Sequence, residues 1–144
     1  KIIRTTEATM GWRDVQTQTH EGRITITAAI SHATVNIARD LKARAILTPT
    51  RSGSTARMVA RYRPIVPILG LSSNSATVRQ LALVWGVYPL LIDEAINSYE
   101  VIERAKQAAV EAGFAQRGDT VIITAGLPPS AQSVTNLIKA DVIG

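Results

Sequence analysis

Segment 42–56, KARAILTPTRSGSTA, gathers the residues of this chain best suited to chemistry. It reads as a buried strand, a hydroxyl-rich turn around Gly53 and the first turn of a helix. Such an arrangement directs free backbone N–H groups and the positive end of a helix dipole into the turn. Thr48, Thr50, Ser52, Ser54 and Thr55 add hydroxyl donors, and Arg51 and Arg57 flank them with positive charge. The combined chemistry is that of a phosphate cradle. No nucleophile–base pair accompanies it, so the segment predicts binding rather than catalysis. The same residues also fit an ordinary helix start, because Ser and Thr are favoured N-caps and Gly suits any tight turn. The loop is neither a Walker motif nor a GxGxxG fingerprint.

Other polar residues argue less for a site. His20 and His32 are the only histidines, and two His without a carboxylate pair nearby give weak support for a metal site. His32 reads as a surface or interface residue of the first helix. Asp93, Glu94 and Asp119 fall at turns, where acidic residues cap or stay solvated. No Ser–His–Asp constellation is apparent. Trp85 and Tyr88 flank a helix–strand junction and read as core.

The elements that would position the cradle follow from hydrophobic spacing. Ile26, Ile30, Ala33, Ile37 and Leu41 recur at helical intervals, with Thr25 or Thr27 as the cap. Ala43–Thr48 reads as a buried strand stopped by Pro49, and Ser54–Tyr62 as a helix ended at Arg63-Pro64. Ile65–Leu71 is the next strand, followed by a capped turn at Ser72–Ser75 and a helix over Ala76–Trp85 closed by Gly86. Val87–Ile92 is a third strand. Asn97 or Ser98 caps a helix to about Ala112 with Ile102, Ala105, Ala109 and Ala112 on its apolar face, and Gly113 ends it. Thr120–Ala125 is a fourth strand after the Gly118-Asp119 turn. Val134–Ile143 alternates and reads as an edge strand.

Short apolar strands alternating with helices predict an α/β fold in three layers. The sheet is expected to be five-stranded and mostly parallel, with helices on both faces. The last strand follows a loop too short for a helical crossover, so it should run antiparallel. Ligands in such sheets bind beyond the carboxyl ends of the strands. The loops at 48–56, 72–75 and 125–133 all leave carboxyl ends and are expected to converge.

Composition narrows the function classes. A chain of 144 residues, 46% hydrophobic and 19% charged, suits one globular domain. Cysteine is absent, which excludes disulfides and thiolate chemistry and fits a cytoplasmic setting. No apolar run is long enough for a membrane span. Net charge is +5, carried by 12 Arg and 4 Lys. Those Arg are scattered and aromatics are only 4%, so neither a basic run nor a base-stacking platform supports nucleic-acid binding. A small anion, or ion pairs with another domain, accounts for the charge. Residues 1–22 are polar and Thr-rich, with Met10 and Trp12 as isolated large apolar side chains. They read as a linker or arm from a missing preceding domain, leaving 23–144 as the α/β domain. A start at Lys1 rather than Met argues for a fragment or a processed chain.

Several of these segments, in this order, resemble the C-terminal regulatory domain of pyruvate kinase, of bacterial type. They are TRSGSTARMVARYRP from Thr50 to Pro64, Pro67-Ile68, Arg79-Gln80-Leu81, WGVYP from Trp85 to Pro89, GDTVIITAGLP from Gly118 to Pro128, and Thr135-Asn136. Residues Ile26–Ala33 resemble the helix that opens that domain, and Arg4–Glu7 resembles the exit from its catalytic barrel. The likeness covers about residues 24–144.

The resemblance implies a domain that binds a phosphorylated allosteric effector and contributes to a homo-oligomer. Catalysis of glycolytic phosphoryl transfer from phosphoenolpyruvate to ADP, with its Mg and K ions, would lie in the missing barrel. This chain matches none of the barrel's catalytic segments, so the resemblance implies no catalysis and no cofactor here. By position, Thr50, Arg51, Ser52, Gly53, Ser54 and Thr55 would hold the effector phosphate. A second effector loop would contain Gly126, Pro128, Ser130 and Ser133, where many bacterial members carry Gly-x-Pro-x-Gly-x-x-Gly. The Trp and Arg that bind a second phosphate in fructose-bisphosphate-regulated members have no counterpart near 93–104. That favours a monophosphate, such as ribose 5-phosphate, glucose 6-phosphate or AMP. The alternative reading is a purely structural oligomerisation module with a vestigial anion site.

Overall fold

A computed structural model describes residues 24–127 and 134–144. The arm expected over 1–22 lies outside them. The described elements, in chain order, are α1 (Ile26–Asp40), β1 (Ala45–Pro49), α2 (Ser54–Arg61), β2 (Ile68–Ser72), α3 (Ser75–Leu81), β3 (Val87–Leu91), α4 (Ser98–Glu111), β4 (Thr120–Ala125) and β5 (Leu137–Val142). The sheet has the order β3-β2-β1-β4-β5. Strands β1 to β4 are parallel, and β5 runs antiparallel to β4 with Ile122 opposite Ala140. The α/β architecture read from the sequence is therefore the one observed.

Strand alternation builds two cores. Ala45, Leu47, Leu69, Leu71, Val121 and Ile123 face α4, which contributes Ile102, Ala105 and Ala109. Ile46, Ile68 and Ile122 face the other way, toward Val35 and Ala38 of α1, Val59 of α2 and Leu81 of α3. Both faces of the central strands are dry, which explains why these strands read as continuous apolar runs rather than alternating ones. At the sheet edge, Lys106 of α4 donates to Asp141 of β5 at 3.0 Å. That hydrogen bond holds the Asp141 carboxyl below its usual range and pushes the Lys106 ammonium above its own.

Several local expectations are corrected. The buried face of α1 is Ser31, Thr34, Val35 and Ala38, while Ile26 is 67% and Leu41 49% exposed. Small side chains let α1 lie close to the sheet. The Thr34 hydroxyl is satisfied by donating to Ile30 O at 2.8 Å, whereas Ser31 Oγ is buried without a partner among the described residues. Strand β2 begins at Ile68 rather than Ile65, because Pro64 and Pro67 lack the N–H a ladder needs. Helix α3 ends at Leu81 rather than Trp85. There Leu83 N and Val84 N donate three residues back, to Gln80 O and Leu81 O, and the chain tightens into turns.

Trp85 and Tyr88 are not core residues; they are 53% and 49% exposed. The Arg63 guanidinium lies 5.4 Å from the Trp85 ring centre, and Tyr88 tilts against Phe114 on the outer strand β3. Being amphipathic, both rings can pack one side and leave the other in water. His32 stacks on Tyr62 with ring centres 5.0 Å apart.

Candidate functional site

Strand order reverses between β1 and β4. Chain connections from β1 move outward to β2 and β3, then return across to β4. The β1–α2 loop and the segment after β4 therefore part from each other at the carboxyl ends of adjacent strands, which is where doubly wound sheets bind ligands. An open cleft of about 120 Å³ sits there. Thr50, Arg51, Ser52, Ser54 and Thr55 line it from the β1 side, and Gly126 and Leu127 from the β4 side. Ser72 ends β2 and Ser73 follows it into the same cleft, and Asp93 and Glu94 follow β3.

The cradle is shaped by its own hydrogen bonds. Gly53 N donates to Thr50 Oγ1 at 2.9 Å, which folds the turn. Gly53 then takes φ +88°, a left-handed conformation open mainly to glycine, and α2 starts at the next residue. Arg57 reaches back and donates to Ser52 O at 3.0 Å, and Thr77 of α3 donates to Arg51 O at 2.6 Å. The loop backbone is thus fixed by side chains from two helices.

What this leaves at the helix start is informative. Side-chain oxygens of Thr25, Asn74 and Asn97 cap α1, α3 and α4. No side chain caps α2 at its N-cap residue, Gly53. Its first backbone N–H groups have no carbonyl one turn earlier, although Ser54 N donates to Ser52 Oγ at 3.3 Å, and the positive end of the dipole lies beside the cleft. Ser52 and Ser54 stand exposed at this end, their hydroxyls 3.1 Å apart. Hydroxyls and N–H groups held this way suit a tetrahedral anion.

The expected site residues separate into three groups. Arg51, Ser52 and Ser54 present exposed side chains at the cleft. Thr50 and Gly53 shape the turn. Thr55 lines the cleft but is only 4% exposed, and its hydroxyl lies 2.7 Å from the Thr135 hydroxyl. Thr48, counted with the hydroxyl donors in the sequence, is wholly buried and donates to Leu69 O at 2.8 Å. It faces inward because it shares the strand face of Ile46. Of the second loop, Gly126 lines the cleft, while Pro128, Ser130 and Ser133 lie outside the described residues.

Sequence reasoning gave no site role to Thr135, Asn136 or Thr77, and read Glu94 only as a capping or solvated turn residue. Asn136 clamps Leu127 by accepting from its N–H at 3.0 Å and donating to its carbonyl at 2.8 Å. Glu94 accepts from Arg51 Nη2 at 2.7 Å. One available signal could have found the acidic pair: Asp93 and Glu94 also follow the carboxyl end of a parallel strand. Among the described residues, no group of His, Cys, Asp and Glu is arranged to hold a metal ion. No helix among them is long and apolar enough to cross a membrane.

Comparison with known proteins agrees with this architecture. Residues 28–140 match the family described as pyruvate kinase, alpha/beta domain. The pyruvate kinase of Geobacillus stearothermophilus is 44% identical over 144 residues, which is 99% of this chain and 24% of that protein. That of Sporosarcina psychrophila is 40% identical over 145 residues, covering 100% of this chain and 25% of the relative. For Clostridium acetobutylicum the figures are 40% over 114 residues, 79% and 24%. The chain thus spans about a quarter of the length of these curated relatives. With a family match across nearly all the described elements, and relatives this similar along the same stretch, the chain belongs to the pyruvate kinase alpha/beta domain family.

Proposed function

We propose that this domain is the effector-binding, regulatory part of a pyruvate kinase, and that residues 50–55 receive the phosphoryl group of a small metabolite. The observation that carries the reading is the start of α2 at Gly53, opening with Ser52 and Ser54 onto a cleft at the reversal point of the sheet. Phosphoryl transfer from phosphoenolpyruvate to ADP would belong to a barrel domain outside this chain. The bound effector would influence that domain only by stabilising one of two arrangements more than the other. Removing both exposed hydroxyls tests the cradle. Ser52→Ala with Ser54→Ala should weaken ribose 5-phosphate binding about 100-fold, from two lost charge-assisted hydrogen bonds. Isothermal titration reads this directly, and an unchanged affinity would remove the loop from the site.

A second role, self-association, is favoured by the surface of α1. Two large apolar side chains are exposed there, Ile26 at its start and Leu41 at its C-cap. Nearby in the sheet order, β5 forms an open edge and leaves Val142 53% exposed. Unpaired edges and apolar stripes are what homo-oligomers cover. Ile26→Asp with Leu41→Asp should lower the mass measured by light scattering to that of one chain. A native protein already monomeric at high concentration would dismiss this role.

A further inference from the structure

The two ends of the sheet differ in charge. Strands β1 to β4 are parallel, so the loops at 41–44, 62–67, 82–86 and 112–119 all lie at their amino ends. These loops carry Lys42, Arg44, Arg63 and Arg117 against one carboxylate, Asp119. Among the described residues, none of the four cations has a carboxylate partner. Large apolar side chains stand in water at the same end: Ile65 is 78%, Leu83 90% and Trp85 53% exposed. An apolar cavity of about 160 Å³ opens at Ile65, walled by Val35, Ala38, Pro64 and Val66, with Lys42 beside it. Arg63 is held at φ +44°, a left-handed conformation costly for any residue with a side chain, and its guanidinium lies over the Trp85 ring. Trp and Arg beside exposed aliphatic groups are the composition of a protein-binding surface.

The opposite charge follows β3. From Leu91 to Glu103 the chain carries four carboxylates, Asp93, Glu94, Glu100 and Glu103, and no Lys or Arg. Asp93 has no cationic partner among the described residues, and Glu94 is held only by its exposed pair with Arg51. In the same segment Leu91, Ile96 and Tyr99 are 62%, 90% and 74% exposed. This segment leaves the carboxyl end of β3, whereas Leu83 and Trp85 precede its amino end. Five residues of strand, about 17 Å, hold the two surfaces apart within one chain. They meet only between two copies.

We propose that these surfaces are the two halves of a head-to-tail contact, in which segment 91–103 of one copy seats on the amino-end surface around Ile65 and Leu83 of the next. Ile96 and Tyr99 supply the apolar anchors, and the carboxylates face Lys42 and Arg63 across the rim. Strand pairing is not the route, because Pro89 in the edge strand β3 has no N–H to donate. The contact shares no residue with the association through α1 and β5 proposed above. Its charges are exposed, so it fills at low salt and empties at high salt, where the other association is read separately. Because its halves differ, each bound copy still offers one free half, and further copies can add.

The test is light scattering on the 144-residue chain across a concentration series, at about 50 mM and about 500 mM salt. At low salt the mass should climb without a plateau, and high salt should raise the concentration needed roughly tenfold. Two variants follow, Ile65→Ser with Leu83→Ser and Ile96→Ser with Tyr99→Ser. Each replaces exposed side chains only, so circular dichroism should match the native chain. Neither variant should climb alone. Mixed in equal amounts at low salt, they should exceed the mass of either, because each keeps the half that the other lacks. Association through α1 and β5 is intact in both variants and gives no gain on mixing. A native mass that stays flat or ignores salt, or a mixture no heavier than its parts, overturns the proposal.

Discussion

Leu81→Ala should lower the stability of the domain by about 4 kcal/mol and its melting temperature by roughly 15 °C. Leu81 is fully buried at the end of α3. It occupies space that two glycines leave free. A Cβ on Gly70 would lie 2.7 Å from Leu81 Cδ1, and one on Gly53 would lie 3.1 Å from Leu81 Cδ2. Truncating the leucine empties a site whose neighbours have no side chains to fill it. The cost should therefore reach the upper half of the range for such substitutions, because collapse of the cavity is what usually lowers it. Urea unfolding measures this, with the slope unchanged and the midpoint displaced. A loss below about 1 kcal/mol would mean that the surrounding helices close the gap and that Leu81 is not a wedge.

Gly53→Ala should cost about 2 kcal/mol and abolish the phosphate binding proposed for residues 50–55. Two penalties add. The residue is held at φ +88°, where an L side chain is strained, and its new methyl would lie 3.0 Å from Arg57 Nη1. Arg57 can swing away, but it then releases the Ser52 carbonyl that it holds at 3.0 Å. Leu81, on the other side, is buried and cannot yield as easily. Gly113→Ala is the comparator: its φ is +82°, and an added Cβ meets nothing within 4 Å. The difference between the two variants isolates the contact penalty from the conformational one. Equal losses would show that the cradle tolerates the methyl.

The architecture was legible in the sequence wherever burial was symmetrical. Apolar runs such as Ile46-Leu47 and Val121-Ile122-Ile123 have no alternative but the centre of a parallel sheet, and they are there. Helix α1 misled because hydrophobic spacing reports an apolar face without reporting what covers it. Ile26 and Leu41 marked one face, while the close-packed face is built from Ser31, Thr34 and Ala38, whose small size lets the helix approach. The cleft was half legible. The β1–α2 loop was visible from its hydroxyls and its place after a strand, and the rule that placed it applies equally to Asp93 and Glu94. The rest was not. Whether Thr55 presents its hydroxyl to solvent or to Thr135 depends on a residue 80 positions away, and no local pattern encodes that pairing.

That pairing has a consequence for how the domain comes apart. The Thr55 and Thr135 hydroxyls meet where both side chains are almost completely buried, at 4% and 2% exposure. Separating them without water or another partner leaves polar atoms unsatisfied in the interior. The first turn of α2 and the segment entering β5 are thereby joined into a single opening unit, although the chain between them passes through most of the sheet. Fraying of the final strand, ordinarily the easiest local opening of a domain, must draw on the stability of the β1–α2 loop as well.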